Sequence, residues 1–149
     1  TLFRSHIGAV DAIMKEFSCP AYICREDDEL AHDSRINSMG PLSASVNSKL
    51  SFLNGESLKT GEFDIKVIYS PGHTRGSVMY VIDNCLFSGD TLFYEGVGRT
   101  DLYGGSFSQL RESLKVLNQL PYDMPVYPGH DEYTTVGHEL QFNPYLWFR

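Results

Sequence analysis

The sequence predicts an α+β fold, a β-sheet covered by helices, on three observations. Apolar runs with strand character dominate the middle of the chain, from Phe63 to Phe87. A capped segment with a helical apolar period follows from Ser106. A short apolar run, Met124 to Tyr127, and a helical segment from about Thr134 to Phe142 come next. Hairpin strands, helix, strand and helix in that order bury their apolar faces by laying helices on a sheet.

Taken in order, His6 to Phe17 carries Ile7, Val10, Ile13, Met14 and Phe17 at helical spacing. Pro20 keeps that helix from running on, because its ring fixes φ and it has no N–H to donate. Ala21 to Cys24 reads as a short strand and the charged stretch Arg25 to His32 as a short helix, with His32 left to solvent. Residues 33–47 are rich in Ser, Asn, Gly and Pro and read as a loop, either a surface excursion or a rim around a site. Asn54-Gly55, within Phe52 to Leu58, is a strong hairpin signal, since both residues tolerate positive φ. Phe63, Ile65, Val67 and Tyr69 alternate with Asp64 and Lys66, a strand with one wet face. Val78 to Ile82 and Cys85 to Phe87 flank the turn Asp83-Asn84, and their near-continuous apolar character predicts a sheet covered on both faces. Ser106 and Gln109 fit a capping box, in which side chains satisfy the orphan N–H groups of a helix start. Phe107, Leu110, Leu114 and Leu117 then continue one apolar face.

Composition bounds the function. The 149 residues suit one domain, and 42% hydrophobic content is enough to bury a core. Twelve basic against nineteen acidic residues give a net charge of −7, a surface that repels phosphate backbones and argues against nucleic-acid binding. No apolar run approaches the roughly 18–20 residues that span a bilayer, so no membrane partner is expected. Cys19, Cys24 and Cys85 are odd in number and lack Cys-x-x-Cys spacing. They read as free thiols of a reducing cytoplasm, with a Cys19–Cys24 disulfide left open.

Three polar loops carry the chemistry, each just past the end of a strand-like run. Ser70-Pro-Gly-His-Thr-Arg-Gly-Ser77 holds His73, Ser88-Gly-Asp-Thr-Leu92 holds Asp90, and Tyr127-Pro-Gly-His-Asp-Glu132 holds His130. Loops at the ends of strands on a rigid sheet are where binding groups gather. Imidazole nitrogens with a carboxylate oxygen form a ligand set suited to zinc or non-haem iron. Asp90 alone could close an Asx turn. The repetition of Pro-Gly-His at His73 and His130 is harder to explain by packing. His138 is ambiguous between a helix surface and a site rim.

Together, Pro71-Gly-His-Thr74, Gly89-Asp90, Gly96-Val-Gly-Arg-Thr-Asp101, Pro128-Gly-His130 and Gly137-His-Glu139 resemble the metallo-β-lactamase superfamily, in its glyoxalase II-like (hydroxyacylglutathione hydrolase-like) branch. The resemblance implies a four-layer αββα sandwich with two metals at one sheet edge. It assigns His73 to the first metal, Asp90 to the bridge between them, and His6 and His130 to the second. A metal-activated water would attack the carbonyl of a small-molecule thioester, with Asp90 as the central catalytic carboxylate. Thr74, Arg99, Asp101 and His138 would contact substrate or support ligands, and an Arg99–Asp101 structural pair is an equal alternative. Two Zn2+ ions are expected, with Fe2+ as the alternative.

This sequence departs from the family's His-x-His-x-Asp-His signature. His6 matches its last histidine, while Thr1, Phe3 and Ser5 stand where two histidines and the aspartate are expected. The chain is therefore expected to be one partial domain over 1–149, mainly the C-terminal portion of the sandwich without its first strands. Residues 1–5 are expected to be non-native, and metal binding impaired. Two rival functions remain: a persulfide dioxygenase-like iron enzyme, and a catalytically inactive binding module of the same fold.

Overall fold

A computed structural model describes residues 7–37 and 45–147. The chain divides into two compact units, one up to Leu53 and one from Asn54 onward.

The first unit holds helix α1 (Val10–Phe17), strand β1 (Tyr22–Ile23), a 3-10 turn (Arg25–Asp27), helix α2 (Asp28–His32) and strand β2 (Ser51–Phe52). The two strands pair in parallel, Tyr22 with Ser51 and Ile23 with Phe52. Ile7, Ala31, Val46 and Leu50 form the core, with Val10, Met14, Ala21 and Ile23 packed against it. The predicted stripe is therefore only partly used. Ile13 is 50% and Phe17 71% exposed, because the small core takes up just the Val10–Met14 edge of the helix. α1 stops at Phe17 as Ser18 turns left-handed (φ 49°), two residues before Pro20. The Asp11 carboxylate in its first turn accepts the backbone N–H groups of Asn47 and Ser48. Those bonds, Asn47's first, hold its pKa well below the usual carboxylate range. His32 is not simply solvated, for its ring bonds the carbonyls of Asp28 (2.8 Å) and Ser48 (3.3 Å). Cys19, Cys24 and Cys85 are all free thiols.

The second unit is built on a six-stranded sheet, with β3 (Ser57–Thr60), β4 (Phe63–Tyr69), β5 (Val78–Ile82), β6 (Cys85–Gly89), β9 (Pro125–Pro128) and β10 (Thr134–Thr135) in the order β10-β9-β6-β5-β4-β3. A small hairpin, β7 (Leu92–Phe93) with β8 (Gly96–Val97), follows β6. Helix α3 (Phe107–Leu114) with a 3-10 extension (Lys115–Gln119) and helix α4 (Val136–Phe142) complete the unit.

Asp83 and Asn84, both at positive φ, close the β5–β6 hairpin as expected. Asn54-Gly55 does not close one. The β3–β4 hairpin turns instead at Gly61-Glu62, with Thr60 paired to Phe63. β4 departs from strict alternation: the neighbours Val67 and Ile68 are both buried, so this end of the strand is covered on both faces. Ile68, Met79, Leu86 and Val126 meet Leu110, Leu114, Leu117 and Val136 in the main core. Ser106 caps α3 by accepting the Gln109 N–H, and Phe107 stays exposed.

Strand direction places the loops. β4 and β6 each run antiparallel to β5, and β6 runs parallel to β9. The C-terminal ends of β4, β6 and β9 therefore emerge at one sheet edge.

Candidate metal centre

Those strand ends deliver His73, Asp90 and His130. The Nε2 atoms of His73 and His130 lie 3.7 and 3.6 Å from the same atom, Oδ2 of Asp90. His73 and Asp90 are buried, whereas the His130 side chain is half exposed and opens the site to solvent.

The chain fixes each of the three from behind. Nδ1 of His73 is bonded to the Arg99 carbonyl at 2.8 Å. A carbonyl only accepts, so Nδ1 must carry a proton, and Nε2 is the ring nitrogen that faces Asp90. The His73 loop is shaped by Ser77, whose hydroxyl accepts the Thr74 N–H and lies 2.7 Å from the Thr74 hydroxyl. The hydroxyls of Ser70 and Thr91 meet at 3.1 Å and tie the His73 loop to the Asp90 loop. Two glycines allow the approach around Asp90. A Cβ on Gly129 would lie 2.4 Å from Asp90 Oδ1, and one on Gly98 would lie 1.7 Å from the Asp90 carbonyl oxygen. The His130 and Phe93 rings make a T-shaped contact, with centroids 5.9 Å apart.

The spacing of each His–Asp90 pair fits two ligands of one metal. Two ligands each about 2.0–2.1 Å from a tetrahedral ion lie roughly 3.4 Å apart, close to both observed His–Asp separations. Asp90 is common to the two pairs, the position a bridging carboxylate takes. Among the described residues no group of three or more His, Cys, Asp or Glu side chains could by itself hold an ion. The fourth expected ligand, His6, lies outside the described residues, as do Thr1, Phe3 and Ser5.

The remaining predicted residues divide. Arg99 and Asp101 form an exposed two-point pair (Nε–Oδ1 2.8 Å, Nη2–Oδ2 2.7 Å). That pairing holds the Asp101 carboxyl down at about 2. The two side chains pair with each other, and the Arg99 backbone carbonyl is the group that touches His73. Thr74 is engaged with Ser77. His138, at the start of α4, bonds Glu95 Oε1 through Nε2 at 3.0 Å, and its ring lies between those of Tyr94 and Phe142. Sequence reasoning gave no role to Glu139, which is fully buried. Its only sequence signal is the Gly137-His-Glu139 match, since a lone glutamate in a helix otherwise reads as surface.

A family model of the metallo-beta-lactamase superfamily matches residues 6–130. The chain belongs to this superfamily. Its metallo-beta-lactamase fold, α+β as predicted, is shared with the solved BLEG-1 B3 metallo-beta-lactamase, at a TM-score of 0.92 and 36% identity over 99% of this chain and 74% of that one. It is also shared with TTHA1623 in a di-iron-bound form, at a TM-score of 0.85 and 33% identity over 97% of this chain and 74% of that one. Among curated proteins, this superfamily member is 35% identical to the probable metallo-hydrolase YqgX of Bacillus subtilis, over 95% of this chain and 70% of that protein. It is 30% identical, over the same shares, to the hydroxyacylglutathione hydrolase GloC of Haemophilus influenzae. No helix among the described residues is long and apolar enough to cross a membrane.

Proposed function

We propose that the chain carries the metal centre of a metal-dependent hydrolase for small thioesters of the hydroxyacylglutathione type. The observation that supports it most is the convergence of His73 and His130 on one oxygen of Asp90, and the similarity to GloC gives the substrate class. In this reading His73 and Asp90 would hold one metal, and Asp90 and His130 the other, with His6 added as the family resemblance implies. Divalent metals at such ligands supply Lewis acidity and an acidified water, the chemistry that hydrolysis of an activated carbonyl requires. Asp90 contributes charge where the two positive ions would otherwise repel. By accepting the Nδ1–H, the Arg99 carbonyl would leave Nε2 of His73 as the atom to bind a metal. A thiolate leaves without protonation, so no further acid is demanded of the chain.

Zinc is the expected metal. Iron is the alternative, supported by the di-iron form of TTHA1623. The test measures metal content of the purified chain and hydrolysis of a hydroxyacyl thioester of glutathione. Turnover that requires added Zn2+ and disappears in Asp90→Ala and His130→Ala supports the proposal. Metal uptake without thioester turnover overturns the substrate class, and no uptake of either metal overturns the metal centre.

A further inference from the structure

We propose that Glu139 is a positioning residue that fixes the spacing between the Asp90 and His130 loops, and thereby the affinity of the metal they share. This rests on the metal-centre reading above. The Glu139 carboxylate is buried in α4 and accepts three donors: the Thr134 hydroxyl at 2.7 Å, the Glu95 backbone N–H at 3.0 Å and the Asn143 side-chain amide at 2.7 Å. The Asn143 amide also donates to the Gly96 carbonyl at 3.0 Å. Glu95 and Gly96 belong to the turn region of the β7–β8 hairpin, which follows directly on Asp90. Thr134 begins β10, at the end of the loop that carries His130.

One carboxylate therefore grips both loops. The grip is needed at the hairpin, since Glu95 adopts φ 49°, a conformation that a residue with a side chain keeps only when its surroundings enforce it. Phe93, two residues before Glu95, packs its ring against that of His130 in a T-shaped contact. The path from Glu139 to the site is thus two contacts long: Glu139 to the Glu95 turn, and Phe93 to His130. An apolar residue at this point of α4 would enter the core with no desolvation cost, so a carboxylate here serves geometry.

The experiment uses the full chain and Glu139→Gln, with Thr134→Val as a milder variant that removes one donor. Zn2+ affinity is measured by competition with a chromogenic chelator. The His130 ring resonances are followed by NMR without metal, with core methyl signals of Met79 and Leu110 as the report on folding. The expected result for Glu139→Gln is a Zn2+ affinity roughly 10–100-fold weaker, shifted His130 resonances and unmoved core methyls. Thr134→Val should move both readouts the same way by less, and it decides the question if Glu139→Gln does not fold. Unchanged Zn2+ affinity in a folded variant overturns the proposal even where the ring signals move. If the parent chain itself takes up no Zn2+, the metal-centre reading falls. The NMR arm then decides the positioning role alone: unmoved His130 signals reject it and shifted ones support it.

Discussion

His32 shows how two hydrogen bonds set a protonation state. Both ring nitrogens meet backbone carbonyls, Asp28 and Ser48, and both carbonyls are acceptors. A neutral imidazole has one N–H and can satisfy one of them, whereas the imidazolium satisfies both. The bond to Asp28, aided by the charges of Asp28 and Asp11, raises the pKa above 6.5 against the opposing effect of burial. Lys49, beside it in the same cleft, is the one nearby cation among the described lining residues. Because the folded value lies above the unfolded one, the stabilisation is complete below about pH 6.5 and fades as pH rises through the folded value. Thermal melts of the parent chain and of His32→Gln should therefore differ most in acid and converge in alkali. A constant difference across pH would show that the two bonds do not depend on the second proton.

At the scale of elements, the cap of α3 is also a support of the site. Ser106 accepts the Gln109 N–H through its hydroxyl, and its own N–H donates to Gly72, next to His73. Ser106→Ala should cost about 1 kcal/mol in denaturant unfolding. It should leave the backbone bond to Gly72 in place, so Zn2+ affinity should fall little; a larger loss of affinity than of stability would mean that the cap reaches the metal loop. The cap, the Asp83-Asn84 hairpin and the three polar strand-end loops were legible in the sequence because local side-chain chemistry dictates each of them. The elements misread are those decided by distant partners. Asn54-Gly55 has the residues of a hairpin turn, but the strand that follows pairs around Gly61-Glu62, where its apolar register with β4 is met. The parallel pairing of β1 and β2 joins segments nearly thirty residues apart, and no local period announces it. Glu139 was hidden in part for the same reason: Thr134 and Asn143 are its neighbours in sequence, but the Glu95 N–H comes from a hairpin 44 residues away.

For the whole molecule, folding and metal binding should be one linked equilibrium. His73, Asp90 and His130 come from three separate strand ends, so their geometry exists only when the six-stranded sheet is formed. A metal that binds the folded state alone stabilises it by RT ln(1 + [L]/Kd), about 2.7 kcal/mol at a hundredfold excess over Kd. For a chain of this length that is a rise of roughly 5–10 °C in melting temperature. In the proposed centre the family's His-x-His-x-Asp-His signature would supply further ligands, and Thr1, Phe3 and Ser5 stand at those sequence positions here. With His73, Asp90 and His130 as the side chains that converge, micromolar Zn2+ should raise the melting temperature of the parent chain only slightly. The triple variant Thr1→His, Phe3→His, Ser5→Asp should convert the same Zn2+ addition into a rise within the range above, reversed by chelator, with thioester turnover rising above that of the parent chain. The two readouts separate two defects. A stabilised but inactive triple variant would mean that ligand count was the fault in binding and that the substrate class is wrong. A variant with no Zn2+-dependent shift would mean that these positions do not reach the centre marked by Asp90.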